Sequence, residues 1–324
     1  MEPALIARLR WLRRNVLGIN RRNQELVLRY NSPSLIAVVD HKARTKEALA
    51  QRGLAVPPTY ARCARTAQLG DFYAECARRA EFVLKPARGA GGEGIVVIAG
   101  RDGDRFVKLS GARLTPRDLL AHAADILGGA FSLSQTHDEV LIEQRLTTDP
   151  ALTPYCPGGV ADLRVLLLHG VPLMAMLRLP TAASQGRANL HVGGIGVGLH
   201  LATGAARFAI CRDRPLTHHP DTRHPLREIR VPHWHEALRL AARAYDAIPL
   251  GLLGVDIVLA DPHGPVILEL NARPGLSIQL ANRRGLRPLV RNLLLRTPAS
   301  SGTIAADARV ALGVELSEQE DELR

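Results

Sequence analysis

No uncharged apolar run in this 324-residue chain approaches the roughly 18 residues that a membrane-spanning helix needs. The opening MEPALIARLRWLRRNVLG has no unbroken apolar centre and no small-residue cleavage site, so a secretory leader is not expected there. Cysteine is scarce. Cys63, Cys76, Cys156 and Cys211 show no CxxC or metal-type spacing, which argues against a disulfide frame and fits reduced thiols in a cytoplasmic protein. Aromatic residues make up only 4%, too few for a base-stacking platform, so nucleic acid is an unlikely partner despite a net charge of +11. Lysine is nearly missing: the basic excess is arginine except at Lys42, Lys46, Lys85 and Lys108. A compact ammonium suits a phosphate in a way a guanidinium does not, so these positions invite a functional reading.

Against those absences stands one dense segment, Gly254–Gly275, GVDIVLADPHGPVILELNARPG. Two β-rich runs flank Asp261, Pro262, His263 and Gly264, whose order is that of a type I turn. That turn would set Asp256 across from Glu269, each five residues from its end of the turn. Period-two alternation adds Asn271 to the same face. Facing carboxylates repel unless a cation lies between them, and an all-oxygen set suits Mg²⁺.

A second signal is GAGGEG, with glycines at 89, 91, 92 and 94. A dinucleotide fingerprint needs a helix next, but β-branched IVVI follows; a Walker A loop needs GK[ST], which is missing. What remains is a glycine flap between antiparallel strands, closing over nucleotide phosphates, with Lys85 one strand-end before it. Protein kinases use such a flap, but the HRD and DFG motifs are absent.

The remaining pattern predicts an α+β chain of hairpins and helices. SLIAVVD (34–40) reads as a buried strand. Helices are expected over HKARTKEALAQRGL, DFYAECARRA, TPRDLLAHAADILGG, 233–248 and 285–296. Strands are expected over 81–87, 139–146 and three hairpins, one turned at His169–Gly170. Residues 1–30 read as helix then loop. Leu5, Leu9, Leu12 and Val16 share one helical face, with Arg8, Arg13 and Arg14 elsewhere. The helix is expected to pack on its own domain, the alternative being an anionic membrane surface. His218, His219, His224, His233 and His235 read as a solvated Pro/His loop rather than a metal patch. The acidic end, EQEDELR, reads as a disordered tail.

Taken together the motifs LGINRRN, VDHKARTKEAL, VLKPARGAGGEGIVV, LIEQRL, ADLRVLLL, MLRLPT, NLHVGGIGVG and GVDIVL…ILELNARPGLSIQ resemble the ATP-grasp superfamily over roughly residues 15–295. Within it the chain looks like the α-L-glutamate ligase-related group, akin to ribosomal-protein glutamate ligases. The resemblance implies two α+β lobes clasping ATP. It divides the chain into a short, truncated front at 1–40, an N-terminal lobe with the flap at 41–140, a C-terminal lobe with the metal hairpin at 141–297, and the acidic tail at 298–324.

It also implies roles. Lys42 and Lys85 would contact nucleotide phosphates beneath the flap Gly89, Gly91, Gly92 and Gly94. Glu143, with the backbone of Gln144, Arg145 and Leu146, would form the hinge that meets adenine. Asp162 would reach the ribose hydroxyls. Arg178 would stabilise the transferring γ-phosphoryl, with Arg164 touching substrate or phosphate. Asn189 and the Gly193–Gly194 loop would face the phosphates and acceptor, and His191, in that glycine loop, is the one histidine expected near the site. Asp256, Glu269 and Asn271 would hold two Mg²⁺ ions, or Mn²⁺. The implied reaction joins a carboxylate to an amine through an acyl phosphate, adding glutamate or another amino acid to a peptide, protein or small amine. The rivals are an ATP-grasp phosphotransferase and a non-catalytic ATP- or nucleic-acid-binding protein. A homo-oligomer stays open.

Overall fold

The computed structural model describes residues 3–89, 91–132, 135–296 and 304–322. Ala90 of the glycine run, the side chains of Leu5 and Arg8, and tail residues 298–303 and 323–324 lie outside the described residues. The chain folds as α+β, with antiparallel sheets and covering helices.

The smaller sheet has the order β1-β6-β2-β3-β4-β5. Its strands are β1 (Thr59–Cys63), β2 (Phe82–Pro86), β3 (Val96–Asp102), β4 (Arg105–Lys108), β5 (Arg113–Leu114) and β6 (Val140–Glu143). Helices Leu69–Ala77 and Pro116–Leu127 cover it, burying Phe72, Phe82, Phe106, Leu119 and Ile126. The second helix begins as its sequence predicts: Thr115 and Asp118 form a capping box and Pro116 opens the first turn.

The larger sheet runs β12-β11-β10-β9-β8-β13-β14, with β7 (Thr147–Thr148) paired to β13. Its members are β8 (Asp162–Leu168), β9 (Val171–Leu179), β10 (Ile195–Leu199), β11 (Ala206–Cys211), β12 (Arg214–Pro215), β13 (Leu252–Asp261) and β14 (Gly264–Asn271). Most residues of β8 and β9 are buried because both faces are covered. Helix Trp234–Ala247 packs on Leu163, Val165 and Leu177; Leu26, Leu289, Leu293 and Leu316 close over Leu166, Met174 and Met176. Double cover is why these strands read as continuous apolar runs rather than as alternation.

Four expectations are corrected. SLIAVVD is a helix, Pro33–Val39, and not a strand: Ser32 caps it by accepting from Leu35 N at 3.3 Å, and Pro33 opens it. Cap chemistry outweighed the β-branched run. Residues 19–30 are helical throughout rather than a loop. The acidic tail is a helix, Ala306–Glu322, packed behind the large sheet. Arg309 is buried, donating to Asp246 Oδ1 at 2.6 Å and Ala242 O at 3.1 Å, while Asp321 pairs with Arg207 at 2.8 Å and Glu315 with Arg296 at 2.7 Å. Its acids meet the chain's own dispersed arginines, away from the glycine flap.

The fourth correction concerns the N-terminal helix, Pro3–Asn15. It is fastened at its C-terminal end, where Arg287 donates to Arg13 O and Leu17 exchanges hydrogen bonds with Gln279 at 2.9 and 3.0 Å. Leu9, Trp11 and Leu12 remain exposed.

Candidate functional site

Strand register builds the site. Asp256 in β13 lies opposite Glu269 in β14 on one side and opposite Arg164 in β8 on the other. Asp162 in β8 lies opposite Arg178 in β9. The expected carboxylate pair therefore forms, but by a different route. The hairpin closes one residue early, Ala260 on Gly264, with a cis Asp261–Pro262 bond in place of a type I turn. A β-bulge between Asp256 and Ile257 then restores the expected register. Bulges of this kind re-aim side chains beside functional sites.

Asp256 has no exposed surface. Its Oδ1 accepts from Arg164 Nε at 2.7 Å; its Oδ2 accepts from Arg164 Nη2 at 2.5 Å, Arg178 Nη2 at 2.8 Å and Asn271 Nδ2 at 3.1 Å. Burial alone would raise its pKa, but Arg164 and Arg178 outweigh burial and hold it below the usual carboxylate range. Asp162 is the opposite case. Burial, with Asp256 adding repulsion, pushes its carboxyl up to about 6 against the pull of Arg178. Both Asp162 oxygens accept from Arg178.

Glu269 is the more open carboxylate, with Oε2 at 3.8 Å from Lys42 Nζ and Oε1 accepting from Asn271 Nδ2 at 3.5 Å. Lys42 Nζ also donates to Gly89 O at the base of the flap. One ammonium thus joins the glycine segment of the small lobe to the carboxylate strand of the large one. Beside it a small cleft is lined by Val39, Lys42, Lys46, Leu49, Glu269 and Leu270 among others.

The flap is anchored on both sides. Gly94 O meets His122 Nε2 at 2.9 Å, and Gly94 itself sits at φ +72° against Phe131, where an added Cβ would lie 2.7 Å from the ring. Only glycine suits that backbone and that contact. On the far side Gly91 O accepts from Asn189 Nδ2 at 3.4 Å, so the flap meets the 181–194 loop. His191 N donates to Asn189 Oδ1 at 3.0 Å, and the His191 side chain is exposed.

The hinge segment begins with a buried carboxylate. Glu143 is 2% exposed, its carboxylate held between Lys46 Nζ at 2.7 Å and Lys85 Nζ at 2.6 Å. Burial would raise its pKa, but Lys85 and Lys46 hold it below the ordinary value. Its side chain is committed to the two lysines rather than free for a base. Gln144 N donates to Pro58 O at 3.0 Å, Arg145 pairs with Glu81 at 2.8 Å on the surface, and Leu146 is buried.

Lys46 is the residue that sequence reasoning left outside the site. Its rarity was the one available signal. Burial pushes its ammonium down to about 8, against the pull of Glu143. A folded value below the unfolded one near 10.4 means the unfolded chain binds more protons between the two, so stability rises with pH across that window. Relative to a Lys46→Met variant, the wild type is expected to gain ~2–3 kcal/mol between about pH 8 and 10.4 in urea unfolding. A pH-independent difference would contradict a buried, depressed ammonium.

The histidines of 218–235 do not gather: His219 is buried with Nε2 at 3.0 Å from Pro180 O, and among the described residues no cluster of three or more His, Cys, Asp or Glu suits a metal. A cation held here would rest on Glu269 and the Asn271 amide oxygen, beside an Asp256 whose oxygens already accept from Arg164 and Arg178. That partial all-oxygen set fits Mg²⁺, which takes its other ligands from water and phosphate.

Curated proteins include no match to the sequence. Among solved structures the chain is similar to the ATP-grasp ligase PsnB complexed with a minimal precursor (TM-score 0.43, 18% identity, 83% of this chain and 64% of that one). It is also similar to the D-alanine–D-alanine ligases of Bacillus anthracis (TM-score 0.43, 14% identity, 91% and 72%) and Coxiella burnetii (0.44, 13%, 90% and 62%). The chain thus spans less than two thirds of the length of PsnB. Residues 21–294 match the sugar-transfer associated ATP-grasp family, a span that takes in the flap, the lysines, the arginine–aspartate network and the β13–β14 hairpin, and the chain belongs to that family.

Proposed function

We propose that this protein is an ATP- and Mg²⁺-dependent carboxylate–amine ligase. The observation that carries the reading is Lys42, whose ammonium touches the flap backbone and faces Glu269 across the cleft. Lys42 and Lys85 would bind nucleotide phosphates, and the flap would cover them with backbone N–H groups. Lys46, through Glu143, positions Lys85.

Mg²⁺ held by Glu269 and Asn271, beside Asp256, would neutralise charge on the β- and γ-phosphates. A substrate carboxylate oxygen attacks the γ-phosphorus, the bond to ADP breaks, and an acyl phosphate forms. Arg178 and Lys42 supply positive charge beside the transferring group. An amine nitrogen then attacks the carbonyl carbon, phosphate leaves with the C–O bonding pair, and the nitrogen loses a proton to give the amide. Asn189 and His191, on the loop that meets the flap, would face the acceptor. Glutamate as the donated amino acid, with a peptide, protein or small amine as its partner, is the specific form we favour from the motif resemblance.

Incubation with ATP, Mg²⁺ and a panel of amino acids should release phosphate and ADP in equal amounts. Hydroxylamine should trap the acyl phosphate as a hydroxamate. A stable phosphorylated product would instead identify a phosphotransferase. The absence of both phosphate release and hydroxamate across the panel would overturn the reading.

A further inference from the structure

The first thirty residues carry seven arginines against two glutamates, nearly half of the chain's net charge of +11. On the helix Pro3–Asn15, Leu9, Trp11 and Leu12 are 45%, 48% and 41% exposed. Beyond it Ile19 and Leu28 are more exposed still. Arg10, Arg13 and Arg14 are also exposed, and among the described residues none of the three pairs with a carboxylate. Among the described residues, the helix's hydrogen bonds to the rest of the chain lie near its C-terminal end, at Arg13 O and at Leu17 just beyond it, and Leu9, Trp11 and Leu12 stay exposed on its body.

Leu9 and Leu12 are three residues apart and share a face; the positions of Arg10, Arg13 and Arg14 lie to one side of it and that of Trp11 to the other, with position 8, an arginine, falling between Leu12 and Trp11. Leucines cost free energy in water, and arginines without acid partners contribute little to folding. Both features suit one environment, the boundary between headgroups and acyl chains of an anionic bilayer. Arginine can keep its guanidinium among the phosphates while its stem lies along the apolar layer, and Trp is favoured at that depth. A nucleic acid would satisfy the arginines but leave the leucines without a role. No helix among the described residues is long and apolar enough to cross a membrane, so the contact is with the surface.

We propose that the helix Pro3–Asn15 docks this protein on anionic lipid bilayers, lying flat with Leu9, Trp11 and Leu12 inserted and Arg10, Arg13 and Arg14 among the headgroup phosphates. The full-length protein is tested by co-sedimentation with phosphatidylcholine vesicles, with and without phosphatidylglycerol. Binding to the anionic vesicles is expected to exceed that to the neutral ones by at least about tenfold and to weaken as salt rises. Trp11 emission should be quenched by brominated lipid, whereas Trp234, buried at 5% exposure, should not respond.

An Arg10→Gln, Arg13→Gln, Arg14→Gln variant should lose roughly a hundredfold in partitioning, at about fivefold per arginine. A Leu9→Ser, Leu12→Ser variant should lose the quenching signal. Both should melt with the wild type, since the altered side chains are exposed. Equal binding to neutral and anionic vesicles, binding unchanged in the variants, or retention of duplex DNA in place of vesicles would each overturn the proposal.

Discussion

Glu269→Gln is expected to lower ATP-dependent phosphate release by about 10²–10³-fold while changing unfolding free energy by no more than roughly 0.5 kcal/mol. The two effects separate because of where the carboxylate stands. Its contacts are weak, an ammonium at 3.8 Å and an amide at 3.5 Å, and its side chain is 34% exposed. The fold therefore depends little on its charge. Charge on the phosphates, by contrast, would be balanced here, and an amide is a poorer ligand for a hard cation than a carboxylate. Part of the lost rate should return as Mg²⁺ is raised. Phosphate release assayed against Mg²⁺ concentration, with melting curves alongside, checks both halves. Unchanged turnover would remove Glu269 from the site.

Asp256→Asn should behave differently, destabilising the protein by about 3–5 kcal/mol in urea unfolding as well as abolishing turnover. Its carboxylate has no exposed surface and neutralises Arg164 and Arg178. Loss of that charge leaves two largely buried guanidinium groups with Asp162 as the carboxylate still paired to Arg178. Removing one partner from a buried network costs far more than the network contributes, because the remaining charge stays desolvated. Combining Asp256→Asn with Arg164→Met should recover part of the loss, since the two positions are in direct contact and their effects are not additive. A cost below ~1 kcal/mol, or strict additivity in the cycle, would show that the network does not bear on stability.

The contrast between these carboxylates was only half legible in the sequence. Period-two alternation on apolar strands put Asp256, Glu269 and Asn271 on one face, and the register held. It held for a reason not visible in a string of residues: the early closure of the turn and the bulge at Asp256 cancel. Nothing local distinguishes a carboxylate clamped by two arginines from one left open, because Arg164 and Arg178 arrive from strands β8 and β9. The contacts of Asp162 and Glu143 are hidden in the sequence for the same reason. Their motif positions suggested contact with ribose and adenine, but strand neighbours and a distant helix had already occupied their oxygens.

What the sequence alone determined is what depends on spacing and residue type. Hairpins, the capped helix at Pro116, the strand–glycine–strand flap and the family resemblance all rest on local backbone preference and on side chains a few residues apart. Tertiary structure decided the rest. Arg309 with Asp246 ordered a tail whose acidity suggested disorder, whereas the Ser32–Pro33 cap that makes SLIAVVD a helix is local chemistry that the β-branched run overshadowed. Tertiary structure also decided which charges are spent inside the fold and which remain open. Desolvation acts on a group through everything packed around it, and for Lys46, Glu143, Asp162 and Asp256 those neighbours lie many residues away along the chain.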